Sequence, residues 1–453
     1  MTDTMANPTA DLTADPTADL TTDPTTDPTT DPTADPAGYR DRIRAAFAPF
    51  AGSVGDWERS GHLPRELFAA LGAAGIFRDR WSRGAAAGLP LGRVLVAEMA
   101  RLNGGLALGV SLHCEVFVQA LHRFGGARHA ATLESALAGA SIGCVALTEP
   151  GGGSDIYSMG TAAARVGADG WQLTGTKRFT TNVGRATHLL TLARTGAGNQ
   201  DFTLFLVPLD RPGVRITRFF ETMGVRSVDT GGVEFDARMT DADVVGRAGA
   251  GLMYVLKLLD YERIAAAEGV VAGARAALAL ATAHLRQRTQ FGKRLFDHQA
   301  LAHRLADRWA EVEAAAALID TACREARGDH LPHHLVAAAK LVAARTSTAA
   351  VDEAIQMLGA RGYTEDYPLE RIFRDARVTR IAGGTDEMLR QIIGMHLDVA
   401  DAESTALLAR SEAAAQEPAT PEAHTPEAHT PEAHTPEAHT DEAHTHEGEL
   451  PHA

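Results

Sequence analysis

The segment GWQLTGTKRFTTN at residues 170–182 has the alternation of apolar and polar side chains that is typical of a β-strand. Three more segments share its richness in β-branched and aromatic residues and are bounded by turn-forming residues: HLLTLART at 188–195, DFTLFLVPL at 201–209 and GGVEFDARM at 231–239. Because these strands follow one another without a helical segment in between, the sequence predicts a mostly antiparallel β domain over residues 143–248.

The pattern on both sides of this region is helical. ELFAALGAAGIF at 66–77 and GRVLVAEMARL at 92–102 carry apolar residues three and four positions apart, as does the longer segment that begins at Gly251. We therefore predict an N-terminal helical domain over residues 38–142 and a C-terminal one over 249–400. The order helices, strands, helices contains no alternation of strand and helix, which argues against a Rossmann domain.

Low-complexity segments occupy both ends of the 453-residue chain. Residues 1–37 are a Thr/Asp/Pro/Ala repeat, and residues 401–453 include four PEAHT units followed by DEAHT. Their composition offers too little apolar surface to offset the loss of chain entropy, so we predict disorder for both. Residues 1–37 and 411–453 account for −8 and −10 of the net charge of −15, which leaves +3 for residues 38–410.

Composition and charge argue against several classes of function. The predicted body is mildly basic without a long basic stripe, which suits an anionic small ligand better than nucleic acid. We find no run of about 18 apolar residues and no secretion signal, so we expect a soluble cytoplasmic protein without a membrane partner. Cys114, Cys144 and Cys323 lack the spacing of metal ligands, and we predict reduced thiols and no metal site.

The segment TEPGGGSD at 148–155 lies at the entrance to the β domain. Glycines allow backbone N–H groups to approach a ligand closely, and the hydroxyls of Thr148 and Ser154 can donate hydrogen bonds to its polar edge. Taken alone, the segment is equally compatible with a tight turn that binds nothing.

TEPGGGSD resembles the TEPGAGSD loop of the acyl-CoA dehydrogenase family, and five further segments match that family in order. They are GTKRFTTN at 175–182, MGVRSVDT at 223–230, RTQFG at 288–292 followed by Gln299, QMLGARGY at 356–363 and IAGGTDE at 381–387. The six segments span about residues 145–390, and the family's N-terminal helical domain corresponds to residues 39–144. The chain is thus similar to the family over the whole of its predicted body.

The resemblance implies an α+β multidomain fold with FAD between the central antiparallel β domain and a C-terminal four-helix bundle, usually in a homotetramer. Residues expected to line the flavin are Val145, Ala146, Leu147, Thr148, Ser154, Phe179, Thr180 and Thr181. Others are expected to hold the pyrophosphate and adenosine, partly from a neighbouring subunit, or to close over the cofactor: Arg288, Phe291, Gln299, Gln356, Met357, Leu358, Gly359, Ala360, Thr385, Asp386 and Glu387. A guanidinium suits a pyrophosphate, although Arg288 taken alone fits a surface salt bridge better.

The chain departs from many family members at the catalytic base. They carry a Glu directly before the Gly-Thr of the last segment, where this chain has Gly383. Some relatives, including those that resemble isovaleryl-CoA dehydrogenase, place the Glu on a bundle helix in a D-x-E-R sequence instead. This chain reads Asp260-Tyr261-Glu262-Arg263, so the resemblance makes Glu262 the expected base.

Helical geometry supports that placement independently. The residues three, four and seven positions from Glu262 are all apolar or small: Val255, Leu258, Leu259, Ala265, Ala266 and Gly269. A carboxylate on such a face is expected to be buried or to face an apolar cavity, which raises its pKa toward neutrality, as a general base requires. The alternative is a structural carboxylate that pairs with a cation of a neighbouring subunit. Residues expected to contact the substrate are Ser154, Asp260, Tyr261, Arg263, Gly383 and Gly384, although Arg263 also fits a structural ion pair.

The predicted reaction is the FAD-dependent desaturation of the Cα–Cβ bond of an acyl thioester, with an electron-transfer flavoprotein as acceptor. Three alternatives remain open at this stage. The first is that the acyl group is carried by an acyl-carrier protein rather than by CoA. The second is a flavin-dependent oxidase or monooxygenase of the same fold. The third is a binding protein without catalysis. The sequence alone does not separate the first two from acyl-CoA dehydrogenation.

Overall fold

The computed structural model describes residues 35–198, 201–398 and 402–416 of the chain. The N-terminal part of the protein is helical. Its α-helices are α1 (Pro36–Phe47), α2 (Val54–Ser60), α3 (Arg65–Ala73), α4 (Ile76–Ser82), α5 (Leu89–Leu102), α6 (Gly104–Ser111) and α7 (Ala130–Leu137). Two π-helical stretches, Leu112–Val118 and Leu121–Gly125, continue α6. Asn103 both ends α5 and caps α6, because its backbone is extended and its side chain accepts a hydrogen bond from the N–H of Leu106.

The described residues of the middle region form a seven-stranded sheet. Its strands are β1 (Gly143–Ala146), β2 (Ala162–Val166), β3 (Gly170–Thr181), β4 (His188–Arg194), β5 (Phe202–Pro208), β6 (Val214–Phe219) and β7 (Thr230–Thr240). They are ordered β1-β4-β2-β3-β7-β6, with β5 paired to β4. A separate apolar core that includes Trp171, Leu173 and Phe205 lies against this sheet.

The C-terminal part is built on long helices: α8 (Gly251–Gln287), α9 (Gln299–Arg324), α10 (His333–Leu358), α11 (Leu369–Val378) and α12 (Asp386–Leu397). A short hairpin, β8 (Thr289–Gln290) with β9 (Lys293–Arg294), connects α8 to α9. The helix α8 packs against α5 of the N-terminal part and against α10, so the two helical parts share one apolar core. A separate unit, Val399–Ala453, contains the helix α13 (Ala402–Gln416).

The fold class predicted from the sequence is confirmed, with helices before and after a sheet. One detail differs, because β1 pairs with β4, and β2 with β4, in parallel. These strands are far apart in the chain, and turn residues between neighbouring segments give no signal for such a pairing. Most of the residues predicted to be disordered, 1–37 and 401–453, lie outside the described residues, but Pro36 and Ala37 begin α1 and residues 402–416 form a helix instead.

Two helical stretches among the described residues are long and apolar enough to cross a membrane, namely Gly104–Gly125 and Gly251–Gln287. In their most apolar windows, however, 83% and 67% of the residues are buried inside the protein. That burial is typical of core helices, since side chains facing lipid would lie on the outside of the fold.

A buried ion pair supports the helix that carries the predicted base. Arg80 on α4 donates to both carboxylate oxygens of Glu115, at 2.8 and 2.7 Å, and both side chains are almost fully shielded from solvent. The guanidinium also stacks on Trp81, 4.0 Å from the ring centroid, and Trp81 in turn contacts Tyr261 of α8. Gly92 makes room for the pair, because a Cβ at this position would lie 2.6 Å from Arg80 Nε and from Glu115 Oε1.

We predict that Glu115→Gln lowers the free energy of unfolding by about 3–5 kcal/mol, because it leaves the Arg80 charge buried without a counter-charge. Urea denaturation of the holoprotein measures this loss. The control is Glu134→Gln, which breaks the solvent-exposed pair with Arg78 and should leave the denaturation curve nearly unchanged. Equal curves for the two variants would contradict the structural role of the Arg80–Glu115 pair.

Candidate active site

The carboxylate of Glu262 lies inside the protein at the end of an apolar cavity. Glu262 is on α8, its side chain is 7% exposed, and its Oε2 has no hydrogen-bond partner among the described residues. Its helix neighbours Ala265, Ala266 and Gly269 line the same cavity, as the sequence predicted from their spacing. A carboxylate oxygen buried without a partner is costly, which marks Glu262 as a candidate functional group.

The turn Ala382–Gly384 meets α8 at Glu262. Lys340 of α10 donates from Nζ to the carbonyls of Ala382 and Gly384, at 2.9 and 2.7 Å. Arg263 donates from Nε to the carbonyl of Gly383, at 2.8 Å. Two buried cations thus hold three successive carbonyl groups of one turn.

The N–H groups of this turn are not used by the fold. Neither Gly383 nor Gly384 donates a backbone hydrogen bond within the described part of the chain, whereas Ile381 and Ala382 both donate to Val378. Both glycines have left-handed backbones, with φ of 67° and 103°. The turn therefore offers two free N–H donors beside a buried carboxylate.

Gly383 is also required by the position of Glu262. A Cβ at residue 383 would lie 2.2 Å from Oε2 and 3.0 Å from Oε1 of Glu262. The carboxylate from the helix occupies the space into which a side chain at 383 would project. Side chains at the two positions therefore compete for the same space.

Burial and two cations act in opposite directions on Glu262. Burial raises its pKa, while the positive charges of Lys340 and then Arg263 lower it, and the net direction is upward. Burial likewise lowers the pKa of Lys340 to about 8, against the opposing effect of Glu262. The site thus holds a carboxyl group that titrates closer to neutrality than an exposed one.

A cavity that is open to solvent runs from Glu262 between α5, α6, α8 and α11. Most of its lining is apolar, for example Val96, Ala100, Leu108, Val270 and Ile372. Asp375 of α11 lies in the wall and accepts hydrogen bonds from the N–H groups of Gly104 and Val225. Such a cavity with one orphan carboxylate is suited to an apolar chain whose reactive end reaches Glu262.

None of the six residues predicted to contact the substrate is among those that line this cavity, and three of them make contacts within the fold. Arg263 pairs with Asp260 and holds the Gly383 carbonyl. Asp260 is buried and also contacts His333 Nδ1, at 2.5 Å. The ring of Tyr261 packs against Trp81, and its hydroxyl donates to the carbonyl of Asp329. Residues adjacent to Glu262 face away from it because each position turns the helix by about 100°.

The Gly-rich segment 148–155 is a loop that is held by hydrogen bonds to buried side chains. Lys177 of β3 is fully buried and donates to the carbonyl of Leu147 and to Glu149 Oε1, at 3.3 and 2.8 Å. Glu149 accepts in turn from the N–H groups of Gly160 and Thr161. The start of the loop is therefore held by Lys177, and Glu149 links it to residues 160–161, while Ser154 is exposed.

The C-terminal end of β3 has an irregular backbone and side chains that could contact a ligand. The register of β3 with β7 shifts between Lys177 and Thr180, and Phe179 at this bulge has φ of 57° and a side chain that is 57% exposed. The hydroxyl of Thr180 is buried without a partner among the described residues. An exposed aromatic ring in a strained backbone and an orphan hydroxyl fit the flavin that the sequence predicts here.

The residues predicted to hold the pyrophosphate and adenosine lie at the other end of α8. Burial, followed by the positive charges of Arg361 and Arg288, lowers the pKa of His284 near the end of α8. Arg288, Gln299, Gln356, Gly359 and Ala360 are exposed, whereas Met357 and Leu358 are buried in the core. Arg288 has no acidic partner within the described ranges, so the surface salt bridge considered from the sequence is not observed there.

The segment Thr385–Glu387 begins α12. The hydroxyl of Thr385 caps the helix by accepting from the N–H of Met388, and Asp386 is buried with its Oδ2 bound to Arg380. Only Glu387 of the three is exposed. Asp386 Oδ1 lacks a partner among the described residues, so one acceptor of this segment is free.

Sequence reasoning missed Lys177 and Lys340 as site residues. Each is a single lysine in a segment with no local motif for its partner, and the carbonyls that Lys340 binds are 42 and 44 residues away. A lysine in the apolar face of a helix was the only available signal, as in AAAKLVAA at 337–344.

The family models for the acyl-CoA dehydrogenase domains match nearly the whole described body. The N-terminal domain model matches residues 39–140, the middle domain model residues 144–237 and the C-terminal domain model residues 249–397.

Similar proteins act on different thioesters. Acyl-(acyl-carrier-protein) dehydrogenase MbtN of Mycolicibacterium paratuberculosis is 32% identical over 79% of this chain and 94% of its own length. Benzylmalonyl-CoA dehydrogenase of Aromatoleum aromaticum is 35% identical over 73% of this chain and 89% of its own.

Solved structures agree in fold. Butyryl-CoA dehydrogenase from Megasphaera elsdenii superposes with a TM-score of 0.75 at 28% identity, covering 80% of this chain and 97% of its own. A glutaryl-CoA dehydrogenase from Mycobacterium smegmatis in complex with FADH2 gives 0.74 at 26% identity, covering 83% and 99%.

We predict that Gly383→Ala destabilises the protein more than Gly328→Ala. Both glycines have positive φ, so each substitution costs about 1–2 kcal/mol for the backbone, but a Cβ at 328 meets open space. At 383 the Glu262 carboxylate must also move, which adds about 1–3 kcal/mol. Thermal and urea unfolding measure both losses.

A double-mutant cycle supplies the control. In a Glu262→Ala background the carboxylate is absent, so the penalty of Gly383→Ala should fall to that of Gly328→Ala. An unchanged penalty in that background would mean that Glu262 and Gly383 do not compete for the same space.

Proposed function

The chain belongs to the acyl-CoA dehydrogenase family and uses FAD, and from this premise we propose that it desaturates the Cα–Cβ bond of an acyl thioester with Glu262 as the base. The observation that carries the proposal is the buried carboxylate of Glu262, which lines the apolar cavity, has an Oε2 without a hydrogen-bond partner among the described residues and lies next to two free backbone N–H groups. A base, a set of donors and an acyl cavity are the three parts that this reaction requires.

Glu262 removes the α-proton in this proposal. The α-proton of a thioester is a weak acid, so the base has to be positioned and its pKa has to approach neutrality, which burial favours. The N–H of Gly383 or Gly384 donates to the thioester oxygen and stabilises the negative charge that develops as the proton leaves. Lys340 and Arg263 hold the carbonyls of this turn, so they orient it without touching the substrate.

FAD supplies the acceptor for the hydride that leaves the β-carbon. The residues that fit the flavin are the exposed ring of Phe179 and the free hydroxyl of Thr180, with the clamped loop of Thr148 and Ser154 beside them. The base and the exposed Arg288 are on one helix, 26 residues and about 39 Å apart. That separation supports our proposal that the cofactor site is completed across subunits of a homotetramer.

Exposed aromatic side chains support the same assembly. Phe291 is 94% exposed beside Arg288, and Tyr363 is 86% exposed beyond Gln356–Ala360. Large exposed rings next to predicted cofactor residues are typical of surfaces that another subunit covers. We further propose an electron-transfer flavoprotein as the electron acceptor and a cytoplasmic location.

A thioester on an acyl-carrier protein is a second candidate substrate. It is favoured by the similarity to the MbtN proteins, which are dehydrogenases of carrier-protein-bound acyl groups. It keeps the fold, the base and the donors and changes only the group beyond the thioester. The mildly basic predicted body of the chain suits the anionic character of either carrier.

The test is anaerobic mixing of the holoprotein with acyl-CoA and, separately, with the same acyl group on a carrier protein. Bleaching of the flavin absorbance reports reduction, and the faster of the two identifies the carrier. Reduced enzyme that is reoxidised rapidly by air would favour an oxidase instead. If no thioester on either carrier reduces the flavin, the proposed function is wrong.

We predict that Glu262→Gln retains FAD and acyl-thioester binding but slows flavin reduction by a factor on the order of 10²–10⁴ or more, because the amide cannot accept the proton. Rapid-mixing absorbance measures the rate. Because a side chain at 383 would enter the space that the Glu262 carboxylate occupies, Glu262→Gly combined with Gly383→Glu should recover part of the rate lost in Glu262→Gly. A wild-type rate in Glu262→Gln would remove Glu262 as the base.

The pH dependence of flavin reduction should respond to Lys340. The raised pKa of Glu262 means that the base is active above that pKa and is lost as the pH falls through it. The positive charge of Lys340 lowers the pKa of Glu262 and so opposes the effect of burial. The other charged groups near Glu262 and Lys340 are Arg263 and Asp386. We predict that Lys340→Met shifts the acid limb of the rate profile to higher pH, whereas Lys340→Arg keeps it close to wild type. Superimposable profiles for all three proteins would contradict this electrostatic role.

A further inference from the structure

The cavity follows one face of α8 beyond the base. Glu262, Ala266, Gly269 and Gly273 are spaced by four, three and four residues, which puts them in one row on the helix, and all of them line the cavity. Past the carboxylate, the row contains only alanine and glycine. The α8 side of the cavity is therefore an unobstructed floor.

Two other helices form the walls along this floor. A Cβ at Gly269 would lie 3.2 Å from Val96 of α5, and a Cβ at Gly273 would lie 3.5 Å from Ile372 of α11. The turn after α11 meets α8 at Glu262, whereas Ile372 near the start of α11 meets it at Gly273, so the two helices run antiparallel. Ile372 and Gly273 thus mark the end of the cavity away from the base.

A row of small residues often means no more than close helix packing. Here the row borders a cavity, and the same cavity is lined by Glu262, whose buried Oε2 has no hydrogen-bond partner among the described residues. Tight packing of the three helices would have removed that space. The small residues therefore leave room for a ligand that enters at Glu262.

The length of the floor limits what can fill it. Eleven residues separate Glu262 from Gly273, which is about 16 Å along the helix axis. An extended chain with C–C bonds of about 1.5 Å advances about 1.3 Å per bond, so this distance holds about twelve carbons. A short acyl group would leave most of the cavity without contacts.

We propose that the site takes acyl chains of about twelve carbons and that the absence of side chains at Gly269 and Gly273 sets this length. The inference rests on the proposed function, because it assigns the acyl group to this cavity. It adds the substrate class and two specificity-determining residues on α8.

Chain length can be measured as binding, separately from turnover. In the Glu262→Gln holoprotein, the dissociation constants of butyryl-, hexanoyl-, octanoyl-, decanoyl-, dodecanoyl-, tetradecanoyl- and hexadecanoyl-CoA are determined by titration calorimetry. Each buried methylene contributes about 0.8 kcal/mol, so affinity should rise about threefold to fourfold per carbon. The rise should stop at about twelve carbons, where the cavity ends.

Gly273→Leu in the Glu262→Gln holoprotein tests the end of the cavity that lies away from Glu262. The added side chain fills about one helical turn of the cavity, so the rise in affinity should stop about four carbons earlier. Dodecanoyl-CoA should lose on the order of tenfold or more in affinity, while hexanoyl-CoA should bind as before. The matched control is Ala279→Leu, which adds the same side chain to the exposed face of α8 and should leave the series unchanged.

A second variant covers the case in which Gly273→Leu does not fold. Ala266→Leu blocks the cavity one turn from Glu262 and should restrict binding to the shortest chains. The inference is overturned if wild-type affinity stops rising at about six carbons, or if a folded Gly273→Leu protein gives the wild-type series. Either result leaves the proposed function intact as long as some thioester reduces the flavin, whereas no binding and no reduction at any length would overturn both.

Discussion

A carboxylate buried with one oxygen unpartnered is the constraint on which the rest of the site depends. Glu262 cannot satisfy Oε2 within the described part of the protein, and taking a charged group out of water costs several kcal/mol unless its surroundings respond. Here the pKa of Glu262 is raised, and two cations, Lys340 and Arg263, bind the carbonyl groups of the turn Ala382–Gly384 next to it. The cations moderate the field at Glu262 without forming a direct hydrogen bond to it, which leaves the carboxylate free to accept a proton.

The same two cations explain why the turn has its shape. Lys340 and Arg263 take the carbonyls of residues 382–384, and the N–H groups of Gly383 and Gly384 are left without internal partners. A left-handed backbone at both glycines makes that arrangement possible. The unused donors thus lie beside Glu262, while the buried Arg80–Glu115 pair and the packing of Trp81 on Tyr261 support α8 from the N-terminal helices.

The sequence predicted the fold class and the burial of Glu262, because both rest on local periodicity. Strand alternation in GWQLTGTKRFTTN and the apolar neighbours of Glu262 three and four positions away are properties of adjacent residues. It did not predict the roles of Lys177 and Lys340, whose partners are distant in the chain, nor the parallel pairing of β1 with β4. The inward direction of Tyr261 and Asp260 depends on what α8 packs against, and a D-x-E-R motif alone does not contain that information.

The uninterrupted helix α8 restricts where insertions and deletions can occur in this chain. It extends over 37 residues and carries Glu262, residues that line the cavity and, at its C-terminal cap, Arg288. One residue inserted anywhere between Glu262 and Arg288 would turn everything beyond it by about 100° and move it by about 1.5 Å. Substitutions can accumulate on the outer face of α8, but insertions and deletions there would misalign two distant binding regions at once. Length variation among homologues should therefore be confined to surface connections, such as the one between β4 and β5.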